Sequence, residues 1–269
     1  MSIFRLEVRN LRKSALISTL TICGVIYAML MFFPSMQTES MQMLANAKLE
    51  GVDPALLKAL GMSIVPDFTI ITNYFGYILQ FITLAVIVII TQQAISLFIK
   101  EETDGTIEYL CAKPVSRNEI FVQKLSALMT YIIFMLTSFF VITVVGYMLV
   151  TDFSLGQAVG EAAIFYSAIF FVALIFSAIG FLLSTLMKSS KGAAGITIGI
   201  VFGTFILGIM SVVVKELDFL VWFSPMDWIK SEKLMRDGIL VQEWVVGITV
   251  ILIANGAAYL QYRRKDLLI

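Results

Sequence analysis

The sequence predicts an all-α polytopic membrane protein with six transmembrane helices, on three observations. Of its 269 residues, 59% are hydrophobic and 14% charged, where ordinary soluble domains have ~45–50% and ~25%. A water-soluble fold of this size lacks the polar residues to cover so much apolar surface. The 19 basic and 19 acidic residues all fall between six long uncharged stretches or at the chain ends. Those stretches, at about 14–33, 70–97, 125–150, 162–187, 192–214 and 244–262, meet the ~20 apolar residues that a bilayer-spanning helix needs. A membrane β-barrel would instead show short alternating segments. A soluble enzyme, a nucleic-acid binder and a disordered chain are thereby excluded.

The elements follow in chain order. Residues 2–13 have helical amphipathicity. Arg5, Arg9, Arg12 and Lys13 fall within one ~100° arc, opposite Ile3, Phe4, Val8 and Leu11, with Glu7 intruding on the apolar side. The pattern predicts a helix lying in the membrane surface, its basic face toward anionic headgroups. The first span is too long for a signal-peptide core, and Met31-Phe-Phe-Pro-Ser-Met-Gln37 offers no small-residue cleavage site, so it reads as a retained anchor. Residues 34–67 form an outer loop. Within it Asp53 as N-cap and Pro54 at the first helical position predict a short helix over 55–62. Residues 98–124 are the largest inner loop, 152–161 a short outer turn and 188–191 a tight inner turn. Residues 215–243 form an outer segment in which Trp222, Phe223, Pro225 and Trp228 stand beside Asp227, Lys230 and Glu232. Two short surface-lying or half-inserted helices would account for this mixture, as would a solvated loop. The whole chain, 1–269, reads as one membrane domain.

Lys and Arg set the orientation. Six spans place both termini on one side. That side carries 13 of the 19 basic residues and 7 of the 19 acids, so both termini are predicted to be cytoplasmic, in a multi-pass plasma-membrane protein. Trp222, Trp228 and Trp244 all fall near the other face, where interfacial tryptophans anchor spans.

The chemistry that is missing narrows function. The chain has no histidine, the commonest general base and nitrogen metal ligand, and its two cysteines, Cys23 and Cys111, cannot build a Cys-rich zinc site. There is no G-x-x-x-x-G-K-[ST] to hold ATP and no G-x-S-x-G nucleophile elbow. No charge lies within the six stretches, where ion-coupled carriers and intramembrane enzymes usually hold ionisable groups. No catalytic and no metal site is therefore predicted, and net charge zero offers nothing to a nucleic acid. Among the polar residues in the spans, Asn73, Gln80, Gln92, Gln93 and Asn255, the candidates for lining a pathway are Asn73, Gln80 and Asn255. Interhelical hydrogen bonding is the alternative role. Gly195, Gly199 and Gly203 recur every four residues and share one face of the fifth span. Such a face packs closely, either within the subunit or against another. Met29, Met31, Met36, Met41 and Met43 cluster at the outer end of the first span. Thioethers ligate Cu(I), and Met also fills irregular apolar gaps.

The inner loop is the most structured part outside the spans. Gly105 suits a C-cap just past the second span, residues 106–111 a short helix, and Pro114 its break. Ser116 with Glu119 three residues on spells a capping box leading into the third span. Its mixed charge suits a protein contact.

The string Glu101-Glu-Thr-Asp-Gly-Thr-Ile-Glu-Tyr-Leu110, then Pro114-Val-Ser-Arg117, Glu119-Ile120 and Lys124, resembles the first cytoplasmic loop of type-2 ATP-binding-cassette (ABC) permeases. The resemblance extends to the basic N-terminus, the six spans, the Ser224-Pro225…Trp228 segment and the Tyr262-Arg263-Arg264-Lys265-Asp266 tail. Two departures are Lys265 within the tail and Gln123 where the family places Gly before the Lys. The resemblance implies an exporter's membrane subunit, with residues 2–13 as elbow helix and a coupling helix at about 102–111. Glu102, Gly105, Thr106, Glu108, Pro114 and Arg117 match the positions that dock on a separate ABC ATPase. That partner would bind the ATP and Mg, leaving this chain without a cofactor. A second permease copy or paralogue would complete a dimer in the lipid, and 219–240 would form re-entrant outer helices. A membrane sensor or immunity component that borrows an ABC ATPase is the alternative within the same family.

Overall fold

A computed structural model describes residues 3–38, 43, 67–103, 105, 115–187 and 189–264. The described residues are 89% helical, with no strand among them. Six helices are long and apolar enough to cross a membrane: α1 (Ile3–Met36), α2 (Ile71–Thr103), α3 (Arg117–Val150), α4 (Leu155–Leu186), α5 (Ala193–Val213) and α8 (Val241–Arg264). Between α5 and α8 run a 3-10 helix (Lys215–Phe223), α6 (Pro225–Trp228) and α7 (Ser231–Asp237). At 1.5 Å per residue, α1 through α4 reach about 48–51 Å, beyond the ~30 Å hydrocarbon core, and the 21-residue α5 reaches about 32 Å.

Caps set the helix boundaries. The expected box at α3 forms: Glu119 N–H donates to Ser116 Oγ at 3.2 Å, and Ser116 N–H donates to Glu119 Oε2 at 2.9 Å. A second box, Ser154 with Gln157, starts α4 seven residues before the predicted span. At α2, Asp67 Oδ1 accepts from Thr69 Oγ1 at 2.6 Å and Thr69 N–H at 2.9 Å. These two bonds hold the Asp67 carboxyl below its ordinary pKa, the hydroxyl contributing most. Gly105, just past α2, has φ +66°, the left-handed geometry that suits glycine.

The helices pair as α1 on α3, α2 on α4 and α4 on α8, with α5 against α2 and the 3-10 helix. The middle of α4 and of α2 is 67% and 61% buried, against 22% in α1, α5 and α8, so α2 and α4 form the core and the other three the rim. Gly180 allows the core pair its close approach. A Cβ there would lie 2.9 Å from Ala94 Cβ and 3.0 Å from the Thr91 carbonyl oxygen.

Two expectations are corrected. Residues 3–13 are not a separate surface helix; they are the first turns of an uninterrupted α1. No glycine or proline breaks the chain there, and its inner face is fastened to α3, where Phe4 N–H donates to Gln123 Oε1 at 2.9 Å. The residue that departs from the family pattern thus satisfies a first-turn N–H of α1. Trp228 is not an interfacial anchor. It is 1% exposed, packs with Phe171 and Ile175, and donates from Nε1 to the Val221 carbonyl at 3.0 Å. Trp222 and Trp244 are exposed. The segment around Trp228 folds back on the bundle: Ser224 packs on Gly208 of α5 and Ser231 on Gly76 of α2. Each glycine lies five residues inside its helix, so the segment reaches about 8 Å back from the helix ends. The helix predicted over 55–62 lies outside the described residues.

Candidate functional site

The ends of five spans meet at one end of the bundle in a knot around Lys124. Glu7 of α1 and Lys124 of α3 are 4% and 0% exposed. Lys124 Nζ donates to Glu7 Oε1 at 2.6 Å and to the Leu97 carbonyl of α2 at 2.5 Å. It also stands 5.2 Å from the Phe98 ring centroid, within reach of a cation–π attraction. The Phe98 ring lies 4.5 Å from Tyr262 of α8 and 5.0 Å from Phe181 of α4, and Phe121 of α3 lies 5.0 Å from Phe181. A charged pair away from water is tolerable only when its polar atoms find partners, and here the ammonium has two oxygens and a ring face.

The knot adjoins both ends of the 104–116 loop. Arg117 Nη1 donates to the Arg263 carbonyl at 3.0 Å, and Tyr259 Oη to Asn118 Oδ1 at 3.0 Å, so the start of α3 is tied to the end of α8. Ser190 N–H donates to Thr103 Oγ1 at 3.2 Å, which ties the end of α2 to the approach to α5. Of the predicted ATPase-docking residues, Gly105 and Arg117 flank the loop and Glu102 lies in the last turn of α2. Thr106, Glu108 and Pro114 lie outside the described residues, as does the predicted helix over 106–111.

One comparison decides the family. The model of a family described as "ABC-2 family transporter protein" matches residues 1–267. The chain belongs to the ABC-2 transporter family. No curated protein sequence matches it. Members of the ABC-2 family are membrane subunits that work with an ABC ATPase and are not themselves catalytic. The six apolar helices fit that role.

The ABC-2 chain also carries a largely apolar groove between α1, α2 and α5, with a few polar side chains in its wall. Gln93 Nε2 donates to Ser14 Oγ at 2.8 Å, and Thr197 Oγ1 donates to Gln92 Oε1 at 2.8 Å. These residues and Ser18 line a cavity of about 430 Å³, within the ~300–1,000 Å³ range of small-molecule sites. The predicted pathway residues do not converge there. Asn73 Nδ2 donates to the Asp67 carbonyl at 3.3 Å, closing the start of α2. Gln80 is half-buried further along α2. Asn255 sits on α8, its Nδ2 bonded to the Ile251 carbonyl of its own helix at 2.9 Å. Gln92 and Gln93 were visible in the sequence as adjacent in-span amides, but hydropathy gives no signal for which helix they face. Among the described residues, a Cβ on Gly195, Gly199 or Gly203 would meet nothing within 4 Å.

Proposed function

We propose that this chain is the membrane subunit of an ABC exporter, moving its substrate outward across a bacterial plasma membrane with ATP and Mg bound by a separate ATPase. The observation that carries the reading is the knot. The loop whose residues match the family's docking motif joins α2 to α3 beside the place where α1, α2, α3, α4 and α8 are fastened together. A push on that loop reaches five spans at once. The groove that holds Ser14, Ser18, Gln92, Gln93 and Thr197 supplies hydrogen-bonding groups at one end of the apolar bundle. The Gly195–Gly199–Gly203 face, which meets no neighbour among the described residues, supports a second permease copy packed on α5. The 13-to-6 excess of basic residues supports cytoplasmic termini.

Docking is tested by co-expressing the tagged chain with its ATPase. Gly105→Pro forces φ to about −65° where the chain holds +66°, and Glu108→Lys reverses a charge in the loop. Each is expected to lower the copurified ATPase at least tenfold, while Ser154→Ala at the opposite end leaves it unchanged. Equal recovery with all three would remove the loop from the interface.

A further inference from the structure

The outer surface of the α1–α3 pair carries a second cavity, of about 260 Å³, unrelated to the α1–α2–α5 groove. Its origin is in the sequence. Ala15 of α1 and Ala127 of α3, 8% and 1% exposed, face one another as a shallow floor, while Leu16 and Phe134 stand up on either side, 41% and 46% exposed. Thr130, on the rim, spends its hydroxyl on the Ser126 carbonyl of its own helix at 2.9 Å, and Tyr131 spends its own on Ser18, 3.3 Å away. The trough is therefore apolar along its length. Arg12 stands at one end as its only charged lining residue. Among the described residues the Arg12 guanidinium has no ion pair or hydrogen bond.

Depth places these groups. Beyond Lys13 α1 carries no charge to its end, and beyond Lys124 α3 carries none. From there both helices run in hydrocarbon, so Arg12 stands at the headgroup level and the Leu16–Phe134 end lies about 6–10 Å deeper. A lateral trough with a cation at headgroup depth matches one ligand shape: an acyl chain below a phosphate. The volume is under the ~300–1,000 Å³ of sites that engulf whole small molecules, and suits one chain lying in a groove.

We infer that the α1–α3 trough binds one anionic glycerophospholipid, its headgroup phosphate on Arg12 and an acyl chain between Leu16 and Phe134. The bound lipid buttresses α1, which rests mainly on α3, directly above the Glu7–Lys124 pair. The site does not depend on the transport reading.

The test titrates delipidated full-length chain with phosphatidylglycerol or phosphatidylcholine of identical acyl chains and counts bound lipids by native mass spectrometry. The expected result is one lipid held more tightly than the rest, with phosphatidylglycerol favoured about fivefold. Arg12→Gln removes the headgroup preference and leaves the chain contact. Thr130→Trp, at an exposed position, fills the trough and removes the tight site for both lipids. Arg9→Gln, on the same basic face but outside the trough, changes neither. Equal losses in Arg9→Gln and Arg12→Gln would mean diffuse attraction to a basic surface and overturn the site, as would a Thr130→Trp chain that keeps the tight lipid.

Discussion

Lys124→Ala is expected to destabilise the folded chain by about 3–5 kcal/mol, the cost of leaving one partner of a buried ion pair uncompensated. The substitution strands the Glu7 carboxylate at 4% exposure and frees the Leu97 carbonyl. It also opens a void beside the Phe98 ring. The double substitution Glu7→Leu with Lys124→Met is expected to recover most of the loss, because replacing both charges by apolar groups of similar size is often neutral. Unfolding of the detergent-solubilised chain, followed by circular dichroism against added denaturing detergent, reads both. If the single and double variants lose the same stability, packing rather than charge pairing holds the knot. The double variant then isolates the mechanical role. Folded yet lacking the ammonium that clasps α1 to α2, it is expected to bind the ATPase but export poorly.

Gly180→Ala is expected to cost about 1–3 kcal/mol although alanine is the better helix former. The new methyl meets the Thr91 backbone oxygen at 3.0 Å and Ala94 Cβ at 2.9 Å, and a helix backbone cannot swing aside as a side chain can. The α2–α4 core would part. Gly195→Ala makes the same chemical change in open space, and the isolated subunit is expected to gain up to about 1 kcal/mol from helix propensity. Thermal melts of the two variants in one detergent give opposite signs. A destabilised Gly195→Ala monomer would place an unrecognised neighbour on α5.

The contrast between those glycines shows what was legible. Hydropathy and charge placement read depth along the bilayer normal, so the six spans and the common end of both termini emerged from composition alone. Local hydrogen-bonding signatures were equally readable: Ser116 with Glu119, and Gly105 past α2, depend only on residues within a turn. Azimuth was not readable. The regular Gly195–Gly199–Gly203 stripe looked like the packing face, whereas the glycines that meet neighbours, Gly76, Gly146, Gly180, Gly208 and Gly247, are scattered singly over five helices. Asn73 and Asn255 were singled out as amides in spans, and each gives one amide N–H to a local backbone carbonyl, at a helix start and along α8. Gln92 and Gln93 became informative only when α1 and α5 came alongside them. One long-range feature did leave a trace. Glu7 interrupts the apolar face of a basic helix, and Lys124 stands just before 26 uncharged residues of α3. Each residue is out of place alone, and their pairing explains both.

The central claim is that this chain is a pathway powered by another subunit. Purified chain in liposomes, alone and with its co-expressed ATPase, should be assayed for Mg-ATP hydrolysis. The expected result is a rate equal to empty liposomes for the chain alone, hydrolysis in the reconstituted complex, and loss of that hydrolysis when the partner's phosphate-binding lysine is replaced. Hydrolysis by the chain alone at the rate of the complex would contradict the account.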